Sequence, residues 1–128
     1  MARLHDVTFD CHHPASLARY WALMLDGYEV APYDEAELAR LREMGINDPE
    51  DDPGVVVESQ VPGAPRLYFQ KVPESKTVKN RVHLDLRASD VGAEVNRLLA
   101  AGATELHRFD GCVTLLDPEG NEFCVDQA

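Results

Sequence analysis

The sequence predicts an α+β fold made of two tandem βαβββ modules, with a helix inserted in the first. Two observations support this fold: a strand-helix pattern occurs twice, at 7–25 and 82–102, and each copy is followed by alternating segments typical of hairpins. Runs of strands interrupted by a single helix favour sheets that pack under helices. The duplication predicts two mixed half-sheets that curve around a shared cavity.

The length and composition indicate one globular domain over residues 1–128. With 128 residues, 45% of them hydrophobic, the chain can bury one core but not two independent ones. The formal net charge of -11, without a basic stripe, excludes nucleic acid as a partner. Because neither a signal peptide nor a long apolar span opens the chain, we expect no membrane partner and a cytoplasmic location.

The three cysteines predict free thiols. Cys11, Cys112 and Cys124 lack the C-x-x-C spacing of a zinc motif, and their odd number does not fit a disulfide framework. We therefore expect no structural metal and no disulfide.

The first module is predicted over residues 1–73. A strand at 3–11 precedes a helix at 14–25, which Pro14 can start because the first turn leaves that N–H unused. The apolar stripe of this helix, which we assign to the core, contains Leu17, Tyr20, Trp21, Met24 and Leu25. Strands at 28–33, 55–60 and 66–72 complete the module, and a turn at 62–65 joins the last two.

Residues 34–52 have no counterpart in the second half and are interpreted as an insertion. Asp34 with Glu37 resembles a capping box that would start a helix, and Gly45 can end that helix. The acidic segment 48–52 predicts a solvated loop. A helix inserted at this point is also a candidate lid over a cavity.

The second module is predicted over residues 79–128. A strand at 80–87 leads to a helix that Ser89 or Asp90 can cap and Gly102 can end. Three more strands, at 104–109, 112–116 and 122–126, follow this helix. When the hairpin turns of the two modules are aligned on their prolines, Cys124 corresponds to Tyr68.

Alternation along the strands divides each into an apolar and a polar face. Val82, Leu84 and Leu86 are expected under the helices, and the opposite face carries Arg81, His83, Asp85 and Arg87. Asp6, Thr8 and Asp10 form the corresponding face of the first strand. Such a face can simply meet water. In a shared cavity, however, these groups would be desolvated unless they pair or bind a ligand, and we therefore interpret the face as a ligand site.

Three segments resemble the glyoxalase-like branch of the vicinal oxygen chelate superfamily: 67–74, 79–86 and 117–124. The resemblance covers nearly the whole chain except 34–52. It implies paired βαβββ modules around a small-molecule cavity, often in a homodimer. Members include glyoxalase I, extradiol dioxygenases, epimerases, fosfomycin-modifying transferases and metal-free bleomycin resistance proteins, so the resemblance implies the fold more strongly than the reaction.

The resemblance also implies where a divalent metal would bind, because metal-using members take ligands from the first and last strands of each module. His83 and Asp6 occupy the first-strand positions, and the last-strand positions fall on Tyr68, or Gln70 after a slip of two residues, and on Cys124. Asp6, His83 and Cys124 are therefore the candidate metal ligands. Tyrosine or glutamine replaces a usual carboxylate, which also removes the expected general base.

The expected function is metal-independent binding of a small organic ligand by Tyr68, Gln70, Arg81, His83, Asp85 and Cys124. The alternative is a divalent-metal-dependent lyase, isomerase or dioxygenase of the same superfamily. A third hypothesis gives the chain a vestigial cavity and a role in assembly.

Several of these residues also have structural interpretations. His83 can pair with Asp85, and Arg81 or Arg87 can form salt bridges with the aspartates of the first strand. Cys124 can be a small buried apolar side chain. His107 is assigned no role, because no second donor is in register with it.

Overall fold

The computed structural model describes residues 1–128 and has the predicted α+β fold, with two four-stranded mixed sheets and three α-helices. The chain divides into two compact units, Met1–Ser75 and Lys76–Ala128, which are called module one and module two below. Each unit contains a strand, a helix and three further strands in that order. Module one has an additional helix between its second and third strands.

Module one contains β1 (Asp6–Cys11), α1 (Pro14–Met24), β2 (Tyr28–Val30), α2 (Glu35–Glu43), β3 (Gly54–Ser59) and β4 (Arg66–Lys71). Its strand order is β1-β4-β3-β2. The β1–β4 pair is parallel and the other two pairs are antiparallel, so the sheet is mixed.

Aromatic side chains form the centre of the module one core. The Phe9 ring stacks on Phe69 at a centroid distance of 5.0 Å and meets Trp21 of α1 at 4.8 Å. Trp21 and Tyr20 are buried, as the apolar stripe predicted. Burial of rings this large dominates the hydrophobic stabilisation of a small core, and it fixes α1 on one face of the sheet.

The inserted helix α2 begins and ends as the sequence predicted. The Asp34 carboxylate accepts a hydrogen bond from the Glu37 N–H at 2.9 Å, and Gly45 follows the helix with φ +80°. The Glu37 side chain does not complete a capping box but binds Arg40 of the next turn. That pairing lowers the pKa of Glu37 and raises that of Arg40.

The acidic segment 48–52 is exposed at Asp48, Glu50 and Asp51, as its charge predicted, but it is not an irregular loop and Asp52 is buried. It forms a short 3-10 helix, Pro49–Asp51, in which Glu50 accepts two 2.8 Å hydrogen bonds from Arg19 of α1. Asp52 is buried and accepts a 2.8 Å hydrogen bond from the Tyr33 hydroxyl. The prediction failed only for Asp52, because its partner Tyr33 is distant in sequence.

Module two contains β5 (Leu84–Ala88), α3 (Val91–Ala101), β6 (Thr104–Phe109), β7 (Cys112–Leu116) and β8 (Glu122–Gln127). The strand order is β5-β8-β7-β6, which repeats the order of module one. The β5–β8 pair is parallel and the others are antiparallel. The buried core is aliphatic apart from one ring and contains Val95, Leu98, Val113, Leu115, Phe123 and Val125.

The helix of module two is capped at both ends. Asp90, and not Ser89, is the N-cap, and its carboxylate accepts a 3.0 Å hydrogen bond from the Ala93 N–H. Gly102 ends the helix with φ +125°, a conformation that side chains with a Cβ rarely adopt.

Strand β5 begins later than the sequence predicted. The predicted strand started at residue 80, whereas the ladder begins at Leu84 and Val82 is 75% exposed instead of buried. The Asn80 N–H donates to the Glu122 carboxylate at 3.0 Å, so this residue is held outside the ladder. Leu84 and Leu86 are half-buried, on the predicted face.

Strand β6 forms one edge of the sheet, and all six of its residues are exposed. Its pairing with β7 shifts register between Glu105 and His107, which marks a β-bulge at Leu106. The bulge places Glu105 and Arg108 on the same face, where they form an ion pair.

Candidate functional site

The polar face of module two is defined by the register of its four strands. Asp85 of β5 lies opposite Cys124 of β8, Cys124 lies opposite Thr114 of β7, and Thr114 lies opposite His107 of β6. A second row runs beside it and contains Arg87, Asp126, Cys112 and Phe109. Apart from Phe109, the sheet face away from the aliphatic core is therefore lined with side chains that can donate or accept hydrogen bonds.

Three of the predicted site residues meet at one end of this face. One donor atom each from His83, Asp85 and Cys124 lies within 4.8 Å of the others. The His83 Nδ1 is 3.4 Å from the Asp85 Oδ1, and both side chains are more than a third exposed. Imidazole, carboxylate and thiol therefore converge where a ligand can reach them.

The Cys124 thiol is not packed as a purely apolar side chain. Its Sγ lies 3.3 Å from the Thr114 hydroxyl and is half-buried. The hydroxyl and the thiol can each act as the donor in this contact. The sulfur is consequently oriented across the polar face, and the interpretation of Cys124 as a simple buried hydrophobe does not describe its contacts.

The neighbouring Cys112 thiol is held in its protonated form. It lies opposite Asp126 in the ladder and is a diagonal neighbour of Cys124 on the same face. The bond to Asp126, followed by burial and the nearby Cys124, raises the pKa of Cys112 to about 12. An anion beside a thiol disfavours the thiolate, so Cys112 is not an activated nucleophile.

The segment before β5 is fixed by buried polar groups at the start of β8. Glu122 is only 9% exposed and binds both the Lys76 ammonium, at 3.1 Å, and the Asn80 N–H. Asn80 also donates to the side chain of Asn121, which is itself bound by Asp117. Burial opposes the ionisation of Glu122, but the hydrogen bonds and Lys76 outweigh it and lower its pKa. The chain leading to His83 is thereby anchored.

Arg81 lies in this segment, exposed and before the first ladder residue, and not on the strand where the sequence placed it. His83 is also outside the ladder, immediately before Leu84, yet its ring still reaches Asp85. Alternation therefore predicted Asp85 correctly as a neighbour of His83, although the strand does not extend as far as His83.

In module one, the polar face is occupied by pairs within the module. Arg66 donates to both carboxylate oxygens of Asp6 at 2.8 and 2.9 Å. The hydrogen bond from Arg66 holds the pKa of Asp6 below its usual range. Gln70 donates to Asp10 at 2.6 Å. Each oxygen of the Asp6 carboxylate thus already accepts a hydrogen bond from the guanidinium.

Tyr68 lies on the same face, over the backbone of Gly54. A Cβ added to Gly54 would come within 3.1 Å of the Tyr68 Cζ and closer still to its hydroxyl. The Gly54 N–H donates to Asp52 at 3.0 Å, which links this position to the inserted segment. The Tyr68 ring therefore occupies the space that a side chain at position 54 would need, and only glycine leaves this space free.

His107 is a polar-face residue that the sequence did not identify. Strict alternation along residues 104–109 would place His107 on the opposite face. The bulge at Leu106 reverses the sides for the residues that follow it. His107 is in register with Thr114, and its ring centroid lies 6.1 Å from that of Phe109. The sequence contains no signal for this bulge.

Comparison with known proteins identifies the family of the chain. Residues 6–125 match the family model described as a glyoxalase-like domain. No curated protein matches the sequence. None of the helices has the length and apolar character that crossing a membrane requires.

Solved structures with a similar fold share little sequence with the chain. A glyoxalase/bleomycin resistance protein/dioxygenase family enzyme from Burkholderia phytofirmans has a TM-score of 0.66 and 17% identity, with 98% of each chain covered. The fosfomycin resistance protein FosX from Mesorhizobium loti has a TM-score of 0.64 and 10% identity, covering 98% of this chain and 89% of its own. The trypanothione-dependent glyoxalase I of Leishmania major has a TM-score of 0.62 and 12% identity, covering 99% and 87%.

Proposed function

Because the chain belongs to the glyoxalase-like domain family, we propose that it binds a small organic molecule through the polar face of module two. The residues proposed to contact it are Arg81, His83, Asp85 and Cys124. Tyr68 and Gln70 of module one remain predicted ligand contacts. The assignment of residues 1–128 to one functional domain is part of the same proposal.

The convergence of His83, Asp85 and Cys124 carries this proposal. Their donor atoms lie within 4.8 Å of one another, and the imidazole and carboxylate remain exposed. A ligand that offers both a donor and an acceptor can bind to such a group without breaking an existing buried pair. Small-molecule sites typically use a few such polar groups to orient the ligand.

Metal-independent binding is supported by the state of Asp6. The predicted metal set of Asp6, His83 and Cys124 needs a free carboxylate from module one, whereas Asp6 accepts two hydrogen bonds from Arg66. This partly exposed pair is weak, but it already occupies both oxygens of the carboxylate. These residues therefore fit the metal arrangement of the family poorly.

The test is a fragment screen by saturation-transfer NMR on tag-free protein in the presence of EDTA. We expect hits whose signals are lost in His83→Ala and Asp85→Asn and retained in the controls His13→Ala and Asp110→Asn. Tyr68→Phe and Gln70→Ala test the predicted module one contacts in the same assay. Binding that is unchanged in His83→Ala and Asp85→Asn contradicts the proposed site.

A divalent-metal-dependent lyase, isomerase or dioxygenase is the second candidate function. It is favoured by one observation: His83, Asp85 and Cys124 offer three donors at a spacing that one ion can bridge. An ion there would polarise a substrate oxygen in its open coordination position. In this set Asp85 replaces the predicted Asp6.

Elemental analysis of tag-free protein separates the two candidates. Stoichiometric metal that is lost in His83→Ala would overturn metal-independent binding. The pair Asp85→Asn and Asp6→Asn then identifies the carboxylate, because only the variant of the true ligand loses metal. We expect neither wild type nor variant to retain stoichiometric metal.

We further propose a homodimer in a reducing, cytoplasmic compartment. The family resemblance supports the dimer, and the three free cysteines are compatible with reducing conditions. Light scattering of the purified chain is expected to give twice the monomer mass of 14.2 kDa. A monomer over the accessible concentration range contradicts this part of the proposal.

A further inference from the structure

We propose that Asn80 is a positioning residue for the ligand site: its hydrogen bonds set the place of the His83 ring before a ligand arrives. This inference rests on the proposed function, because it concerns the same site. His83 is exposed and lies between Asn80 and the start of β5 at Leu84. The two residues that separate Asn80 from His83 belong to neither a strand nor a helix. Asn80 and Leu84 are therefore the two points that hold this stretch of chain.

Asn80 is bound to the start of β8 through two hydrogen bonds. Its backbone N–H donates to the Glu122 carboxylate at 3.0 Å, and its side-chain amide donates to the Asn121 side-chain oxygen at 3.0 Å. Both acceptor residues are buried. Because a buried acceptor that loses its donor is costly, the two bonds hold Asn80 in one position.

The direction of the side-chain bond is fixed from the other side by Asp117. A carboxylate only accepts hydrogen bonds, and the buried Asp117 side chain accepts one from the Asn121 amide nitrogen at 2.9 Å. The Asn121 oxygen therefore points toward Asn80, where only a donor satisfies it. Asparagine supplies that donor, whereas aspartate, which has nearly the same shape, would place a second acceptor against it.

The backbone bond is supported by Lys76. The Lys76 ammonium lies 3.1 Å from one oxygen of the Glu122 carboxylate, and the Asn80 N–H binds the other oxygen. Each oxygen thus has its own donor, and the buried charge has a counterion. The carboxylate is consequently held in place as the acceptor for Asn80.

The contact of the His83 ring with Asp85 does not fix the site without this support. The His83 Nδ1 lies 3.4 Å from the Asp85 Oδ1, and both side chains are more than a third exposed. An exposed pair of this kind is weak, so it cannot hold the ring against a backbone that is free to move. A backbone held at Asn80 places the ring in advance, and a ligand then binds without the cost of ordering it.

The experiment is two-bond ¹H–¹⁵N NMR of the histidine rings in the full chain without ligand, at a pH where the rings are neutral. We expect the wild-type His83 ring to carry its proton on Nδ1, toward Asp85, because the carboxylate only accepts. Asn80→Asp should shift the ring to the tautomer mixture of a solvent-exposed histidine, and Asn80→Ala should shift it partly. The ring signals of His107, in the same sheet, should not move.

Asp90→Ala is the matched control, because it removes a helix cap of the same module and leaves the contacts of Asn80 intact. It should lower stability without moving the His83 signals. A His83 ring that does not respond to Asn80→Asp, or that responds equally to Asp90→Ala, overturns the proposal.

A measurement on the wild type does not depend on how the variants fold. The backbone amide order parameters of residues 81–83 should be about 0.85, as in a rigid backbone, and values below about 0.6 also overturn the proposal. Failure of the proposed function has a different signature, because an empty fragment screen leaves these ligand-free NMR results unchanged.

Discussion

The two modules share one framework but treat their polar faces differently. In module one, the residue that starts the last strand, Arg66, binds Asp6 on the adjacent strand of the same sheet. In module two, the residue that starts the last strand, Glu122, binds Lys76 and Asn80 in the segment before β5. In module one the pairing therefore occupies Asp6 on the polar face. In module two it leaves His83, Asp85 and Cys124 accessible to a ligand.

The equivalence of these positions follows from the ladders and helices. Both modules have an eleven-residue helix after their first strand, and both pair their first and last strands in parallel. Asp6 lies opposite Arg66 in module one. In module two the ladder begins at the Leu84–Phe123 pair, so His83 and Glu122, one residue earlier on each strand, occupy the equivalent positions. A duplicated frame therefore does not require a duplicated site.

The largest expected effect is that of Glu122→Ala. Removing this buried carboxylate leaves the Lys76 ammonium and the Asn80 N–H without their acceptor, and we expect unfolding free energy to fall by about 3 kcal/mol. Urea denaturation measures the change. Glu43→Ala, at an exposed position of α2, is the control, and a loss no larger than that of the control contradicts the assigned role.

The second prediction concerns Gly54, which begins β3 and lies against Tyr68. Cys112 begins β7 and occupies the equivalent position in module two. Gly54→Ala should cost about 2 kcal/mol because the new methyl group overlaps the Tyr68 hydroxyl. In a Tyr68→Ala background the same change should cost much less. Equal costs in both backgrounds, measured by urea denaturation, would mean that the ring does not occupy this space.

The third prediction compares the two equivalent helices. Asp90→Ala removes the N-cap of α3 and should lower stability by about 1 kcal/mol. His13, the N-cap of α1, makes no side-chain capping bond, so His13→Ala should change stability by less than about 0.5 kcal/mol. Thermal unfolding of both variants checks the difference, and a reversed order would contradict it.

The smallest effect is expected for Arg66→Gln, about 0.5 kcal/mol at neutral pH, because the pair is partly exposed. Arg66 lowers the pKa of Asp6, so this contribution is present above the ordinary value of 3.8. It should disappear as the pH falls through the lower folded-state pKa. Denaturation of wild type and variant at neutral and strongly acidic pH tests this, and a pH-independent difference would exclude the pair as its source.

Much of the framework could be predicted from local patterns. The helices, their caps at Asp34 and Asp90, and the strands of the second hairpin depend on residues near one another in sequence. Alternation identified the polar face of Asp85, and the alignment of the two hairpins placed Cys124 at the corresponding last-strand position. These features follow from period and capping chemistry, which a single sequence displays directly.

The failures concern partners that are distant in sequence. The start of β5 depends on Glu122, some forty residues beyond Asn80, and the burial of Asp52 depends on the Tyr33 hydroxyl. The commitment of Asp6 to Arg66 likewise appears only when β1 and β4 are paired. Charge and alternation show that such groups are polar, but not which partner each one finds.

The bulge in β6 has a further consequence for the behaviour of the protein in concentrated solution. A regular edge strand exposes backbone donors and acceptors that a second chain can continue into an intermolecular sheet. The shift at Leu106 interrupts that repeat after two residues, and the Glu105–Arg108 ion pair adds charge beside it. The β6 edge of module two is therefore a poor template for an intermolecular sheet.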